Sequence, residues 1–220
     1  MGLNNLKQNA KLFLINTYIK LSLFKENIKI KKVKSKEELN QIRHFIWKVY
    51  AIEKGYIDPN FFKERMFIDE FDENSIYFSA VKNKEIVGGV RIVLNSEKGF
   101  PIEKLYELEK LEIDRNKIAE ISRLIAVTHS SKNDVVALAL CKSCFIYSRR
   151  LGIEYWYAFL PEKLKNYFEK KYGIPFIEVK FLPISPEKEK ARIPYRFYFS
   201  NFNPKPYLIP LKEILNRFRI

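Results

Sequence analysis

Apolar positions recur along this chain with two periods, and the change from one to the other marks out its elements. Leu6, Ala10, Phe13, Leu14, Thr17, Leu21 and Phe24 return at helical spacing, punctuated by Lys7, Lys11, Lys20 and Lys25. That pattern predicts a basic amphipathic helix over 6–25, packed on its own domain or laid on a membrane surface. Residues 28–33 then alternate apolar and basic, as a half-exposed strand does. Ser35-Lys36-Glu37-Glu38 is a capping box, and Leu39, Ile42, Phe45, Ile46, Val49 and Ile52 follow at helical spacing up to Gly55. Asp58-Pro59-Asn60 predicts a turn and 61–66 a short helix, before a polar stretch over 69–74.

The period drops to two in 76–81 and 86–94, which read as a hairpin across Lys82-Asn83-Lys84-Glu85. Gly88-Gly89 inside the second run predicts a bulge or a close backbone approach. An irregular segment with Pro101 leads to a strand over 118–127. A long apolar helix over 133–151 follows, stopped by Gly152, then a strand over 153–160. A helix over 161–172 starts on Pro161 and stops at Gly173. Strands over 176–182 and 195–199 flank a polar loop over 185–192, and an amphipathic tail covers 208–218. With no repeat or low-complexity linker, the order predicts one mixed α/β domain: a helix at 1–26, a core over 28–199 and a C-terminal extension over 200–220.

Composition narrows the class. Hydrophobic residues at 47% build a core and exclude disorder, and 220 residues fit a single core. The formal net charge of +14 implies an acidic partner: nucleic acid, an anionic membrane, a phosphate-bearing ligand or an acidic protein. Basic residues are dispersed and not interleaved with aromatics, which argues against nucleic acid. Cys141 and Cys144 are the only cysteines, their spacing lies within a helical run, and the histidines are only His44 and His129. Buried thiols in a reducing compartment are expected, with no metal site. No secretory signal or membrane-spanning stretch is visible, so a cytoplasmic protein is expected.

Glu120-Ile121-Ser122-Arg123 is the segment that suggests chemistry, because three polar residues interrupt an apolar strand. Strict alternation puts Glu120 and Ser122 on one face, roughly 6.6 Å apart, and Arg123 on the other. Such groups form either a working surface or a structural ion pair. Arg43, Arg91 and Arg123 oppose Asp69, Asp72 and Glu120, three cations to three anions, so the set is able to be buried near neutrality.

The ordered set of Arg43, Tyr50, Glu53 and Gly55-Tyr56, Asp69 and Asp72, Arg91 in Gly88-Gly89-Val90-Arg91, and Glu120-x-Ser122-Arg123 carries a family resemblance. Over roughly 28–182 the chain resembles the GCN5-related N-acyltransferases. Within them it is most similar to the branch of the acyl-homoserine-lactone (autoinducer) synthases and long-chain N-acyl amino acid synthases. The resemblance implies a mostly antiparallel sheet flanked by helices, and a charged cluster that shapes the acceptor and acyl pocket. Thr128-His129-Ser130-Ser131-Lys132-Asn133-Asp134 contains no glycine, unlike the general family's pyrophosphate loop. The branch likewise lacks that loop and takes its acyl group from acyl carrier protein. The donor expected here is therefore an acyl-phosphopantetheine on acyl carrier protein, with acyl-CoA second, and no permanently bound cofactor.

The implied reaction is attack of a small-molecule amine on an acyl thioester. Glu120 is the candidate base, and Ser122 the candidate hydrogen-bonding partner of thioester or acceptor. Arg43, Asp69, Asp72, Arg91 and Arg123 form the substrate-binding cluster, while Lys132, Arg149 and Arg150 are candidate carrier contacts. Val135, Leu138, Phe145 and the Tyr155-Trp156-Tyr157 run are candidates to line the acyl pocket or simply to fill the core. Two alternatives stay open: a generic acetyl- or acyl-CoA-dependent N-acyltransferase, and a non-catalytic basic binding module. The acceptor, an amino acid or S-adenosylmethionine, is not legible in the residues.

Overall fold

The computed structural model describes residues 16–127 and 133–218, the side chains of 215–218 excepted. A helix over 16–25 (α1) precedes strand β1 (Ile28–Lys32), which enters helix α2 (Lys36–Trp47) through the predicted capping box. Ser35 Oγ accepts from Glu38 N at 3.1 Å, and the Glu38 carboxylate accepts from Ser35 N. The helix does not stop at Trp47. It widens into a π turn over Lys48–Glu53, a wide form often found beside functional sites, and ends before Gly55 at φ +64°.

Strands β2 (Ser75–Lys82) and β3 (Glu85–Leu94) form the expected hairpin, and its central Asn83 and Lys84 both take positive φ, as the twist-matched two-residue turn requires. Helix α3 (Pro101–Leu105) and strand β4 (Glu107–Leu108) come next, where the sequence reads as irregular. Strand β5 (Ile118–Ala126), helix α4 (Asn133–Arg150), strand β6 (Tyr155–Leu160) and helix α5 (Glu162–Tyr172) match the expected order.

The tail of the chain departs from expectation. The predicted strand over 176–182 is two short pieces, β7 (Ile177–Glu178) and β8 (Phe181–Leu182), the second paired with β4 outside the main sheet. The polar 185–192 loop is helix α6 (Pro186–Ala191). The predicted strand over 195–199 is helical, ending in α7 (Arg196–Phe202). Tyr195, Tyr198 and Phe199 turn inward at i, i+3 and i+4 while Phe197 is half-exposed, so the period is 3.6 and not 2. In place of the short helix over 61–66 stand two 3-10 turns, Pro59–Phe61 and Lys63–Arg65, the second kinked at Glu64, φ 57°. The amphipathic tail begins as strand β9 (Lys205–Pro210) and ends as helix α8 (Leu211–Phe218).

β9 also moves the expected core boundary. The sheet has seven strands in the order β1-β2-β3-β5-β6-β9-β7, so residues 205–210 lie inside it, past the expected limit at 199. All neighbours are antiparallel except β5 and β6, which run parallel. Among the described residues these two pair only over Ile118–Glu120 with Tyr155–Tyr157, and beyond that point they part.

Each face of the sheet carries its own core. α4 covers one face, with Val136, Leu140 and Phe145 packed on Val90, Ile92 and Trp156. On the other, Ile42, Ile46 and Trp47 of α2 pack against Tyr77 and Ile125, and Phe100 and Ile102 pack against Ile118 and Tyr157. Gly88 and Gly89 let both helices approach. A Cβ on Gly88 would sit 2.9 Å from the Ile125 carbonyl oxygen and 2.9 Å from Val136 Cγ1, and one on Gly89 would sit 3.0 Å from Ile42 Cδ1. Gly88→Ala is expected to lower stability by about 1–3 kcal/mol in urea unfolding, because it meets backbone. Gly89→Ala meets only the end of a side chain and is expected to cost less.

Candidate active site

Pairing register explains how the charged residues meet. Tyr77 lies opposite Arg91 across β2 and β3, and Arg91 lies opposite Ser122 across β3 and β5. These three residues form one rung on the α2 face. The register then slips between Gly89 and Arg91, and Arg123 absorbs the extra residue with φ 56°. A bulge of this kind resets alternation. Arg123 therefore shares a face with Ser122, which corrects the expectation that it points away.

The bulge completes a buried cluster. Arg91 Nη1 lies 2.7 Å from Asp69 Oδ1 and 3.0 Å from Asp72 Oδ1, while its Nε donates to Ser122 Oγ at 3.1 Å. Arg123 Nη2 reaches Asp69 Oδ2 at 2.6 Å, and its Nη1 reaches Asp72 Oδ1 at 3.3 Å. Nη1 also donates to the Phe67 carbonyl at 2.8 Å and to Tyr77 Oη, and the guanidinium lies 3.9 Å from the Phe67 ring centre. Arg43 Nε closes the group 3.0 Å from Asp72 Oδ2. Burial pushes the Asp69 carboxyl up, but the charges of Arg91 and Arg123 outweigh it and hold the group below its ordinary value. Burial likewise opposes a charged Arg91, and Asp69 leads the interactions that keep it ionised.

Glu120 stands apart. It is fully buried one same-face step along β5, opposite Val93, and its Oε2 accepts from Ile102 N at 2.8 Å. No arginine pairs with it among the described residues, so the cluster holds three guanidinium groups against two carboxylates, not three against three. Its Oε1 is buried without a hydrogen-bond partner. Burial pushes the Glu120 carboxyl up to about 8, against the smaller pulls of the Ile102 N–H and the Arg91 charge.

A cavity of about 750 Å³ connects these groups and passes through the gap where β5 and β6 part. Asp69, Arg91, Glu120, Ser122 and Arg123 line it, whereas Arg43 and Asp72 lie behind the wall. On the α4 side Leu138, Phe145 and Trp156 of the acyl-pocket candidates line it; Val135, Tyr155 and Tyr157 do not. On the α2 side the wall is aromatic, with Tyr50, Phe67, Tyr195 and Tyr198. Tyr50 stands in the residue set that carries the resemblance; the sequence reading does not single out Phe67, Tyr195 and Tyr198 as site residues, nor Tyr77, whose hydroxyl donates to Asp72 Oδ1 at 2.6 Å. A sheet-wide register would have found Tyr77, since it faces Arg91 directly.

Two of the three expected carrier contacts lie away from the cavity. Arg149 and Arg150 are exposed at the far end of α4, about 24 Å along its axis from Asn133. They flank a separate hollow with Phe145 and Ile146 and do not line the large cavity. Lys132 lies outside the described residues. Cys141 and Cys144 are free thiols in α4, and burial pushes the Cys141 thiol up to about 12. No helix of the described residues is long and apolar enough to cross a membrane.

Comparison with known proteins agrees with this geometry. The sequence matches the family model of the N-acyl amino acid synthase FeeM over residues 41–178, more than half of the chain. The solved structure of FeeM, an N-acyl amino acid synthase from uncultured soil microbes, is 14% identical and superposes with a TM-score of 0.58, covering 84% of this chain and 91% of that one. The acyl-homoserine lactone synthase LasI is 15% identical, with a TM-score of 0.61 and coverage of 87% and 94%. BjaI, a CoA-dependent acyl-homoserine lactone synthase solved with SAM and isopentyl-CoA, is 16% identical, with a TM-score of 0.61 and coverage of 88% and 90%. No curated protein sequence matches. The structural likenesses carry the fold, and the sequence match carries the family. The chain thus belongs to the FeeM family of N-acyl amino acid synthases, and it is an acyltransferase built on the fold of the autoinducer synthases.

Proposed function

We propose that this enzyme moves a fatty acyl group from a phosphopantetheine thioester, on acyl carrier protein or coenzyme A, to the α-amine of an amino acid. The observation that carries the reading is Glu120: a fully buried carboxyl with one unpartnered oxygen, lining the cavity beside the parted strands. An α-ammonium has a reference pKa near 7.7–8.0 and must lose a proton before it attacks. A base raised to about 8 takes that proton at little cost in driving force. The amine nitrogen then bonds to the thioester carbon, the C–S bond breaks, and the proton held by Glu120 passes to the departing thiolate; Glu120, again a carboxylate, takes the second proton from the acylated nitrogen and releases it to solvent.

The cluster supplies orientation. Its surplus of one formal positive charge suits the carboxylate of an amino acid acceptor. Ser122 Oγ accepts from Arg91, which leaves its own proton for the thioester carbonyl or the acceptor. The basic chain, with a net charge of +14, complements an acidic carrier protein. The relative BjaI was solved with isopentyl-CoA, so a CoA thioester is a reasonable donor on this fold.

Five outcomes test the reading. Glu120→Gln, which keeps an acceptor for the Ile102 N–H, is expected to lower acylation of an amino acid by about 10²–10⁴-fold while circular dichroism stays native. An unchanged rate would exclude Glu120 as the base. The same substitution is expected to flatten stability against pH. An unfolded chain releases the Glu120 proton near 4.5 while the fold keeps it to about 8, so the contribution is full at low pH and declines between these values. Urea midpoints across that window should fall in the parent and fall less in the variant.

Asp72→Asn removes an anion that faces all three arginines from behind the cavity wall, and is expected to cost about 3–5 kcal/mol in the same assay. For the donor, each methylene buried in the apolar wall is worth about 0.8 kcal/mol. Acyl thioesters should therefore improve about fourfold in kcat/KM per added carbon until the cavity is full. A flat dependence on chain length would argue for an acetyl donor. Mass spectrometry of lipid extracts from expressing cells identifies the acceptor, and acyl-homoserine lactones in place of acyl amino acids would overturn the amino acid assignment.

A further inference from the structure

We propose that α1 docks the enzyme on an anionic membrane surface through Leu21, Phe24 and the lysines beside them. The helix is turned opposite to what an ordinary amphipathic packing would give. Ile19 and Ser22 are buried, with Ile19 packed on Val135 and Ala139 of α4. Of the stripe that the sequence marks as apolar, residues 6–14 lie outside the described residues, and its last two members face out: Leu21 is 55% exposed and Phe24 is 84% exposed. These two side chains are three residues apart and share one helix face. Single exposed apolar residues are ordinary, but an aromatic and a leucine on adjoining turns, rimmed by cations, match an interfacial helix.

Charge selects the occupant. Lys20 and Lys25 are exposed on either side of the stripe, and Lys29 is exposed just beyond the helix. Among the described residues no ion pair joins any of the three to an acid. Lys142 donates to Asn16 of α1 at 2.8 Å, and burial together with the charge of Lys20 holds its ammonium below its ordinary range. Crowded cations around an exposed apolar stripe fit lipid phosphates over acyl chains. Asn16 and Ile19 of the same helix line the cavity, so the docking face backs directly onto it. Resting on the acyltransferase reading above, this places an amphiphilic N-acyl product one helix away from a lipid surface.

Sedimentation with vesicles tests docking without reference to catalysis. The full chain is expected to bind phosphatidylcholine vesicles containing phosphatidylglycerol, to bind pure phosphatidylcholine much less, and to weaken as salt rises. Lys20→Glu and Lys25→Glu should each weaken binding about fivefold or more. The double variant Leu21→Asp, Phe24→Asp should weaken it more than about tenfold. Neither residue lines the cavity, so acylation of soluble substrates should stay unchanged in that variant. Equal binding to both vesicle types, no binding to either, or full binding by the double variant would overturn the proposal. So would a parent dimer in gel filtration that the double variant splits, with no vesicle binding, since a second copy would then own the face. Vesicle binding without any acylation would leave docking standing and sink the reaction instead.

Discussion

Two arginines buried in the middle of a sheet must be paired within the sheet's own geometry, and this constraint shapes the structure around Arg91 and Arg123. Arg91 is 2% exposed and Arg123 6%, so neither has water to fall back on. A regular strand cannot place Ser122 and Arg123 on one face. The bulge at Arg123 does, at the cost of a left-handed backbone conformation in a non-glycine residue. The pairing also fixes the segment before β2. Asp69 and Asp72 reach the arginines only because the irregular stretch after α2 folds back, with Phe67 N bonded to the Arg43 carbonyl and the Phe67 carbonyl bonded to Arg123. One register slip thus anchors α2, the loop behind it and three strands.

The same constraint explains the gap that makes the cavity. β5 carries Glu120 at the last position paired with β6 and Arg123 just past it, where the strands part. Residues from Ser122 onward line the cavity where a continuous parallel ladder would have closed the sheet. Aromatic side chains from the α7 region then roof the opening on the α2 face, and Tyr195 and Tyr198 line it. Burial pushes the Tyr195 hydroxyl up to about 12, so these rings stay neutral beside the arginines.

What was legible in the sequence was local. The capping box at Ser35, the hairpin at Asn83-Lys84 and the glycine stop at Gly173 are written in neighbouring residues, and all appear. The 183–203 region was misread because its aromatic residues fit a strand period over five residues and a helix period over eight. Its true period shows only in which rings turn inward. The orientation of Arg123 depends on register against β3, which no single segment carries. The partner of Glu120 is a backbone N–H of α3, a helix of five residues inside a stretch that reads as irregular. For α1 the helical period holds over the described 16–25, but Leu21 and Phe24 of the stripe it marks lie on the outer face. Periodicity identifies a face and not the side it turns to.

The proposed chemistry depends on the separation of Glu120 from the cluster. Two unit charges about 3 Å apart at an effective dielectric near 20 interact by about 5–6 kcal/mol, and at about 7 Å by about 2 kcal/mol. Had Glu120 joined Asp69 and Asp72 against the arginines, the stronger value would have held it ionised and weakly basic, as Asp69 is held. One same-face step along β5 reduces the attraction below the effect of burial, and the carboxyl rises toward the range of an amine. The Ile102 N–H keeps the shift from going further and fixes one oxygen in place. The cluster and the carboxyl therefore do opposite things with the same ingredient, burial. One set is paired within the cluster, and the other is left one step short of a partner, which is what the proposed proton transfer requires.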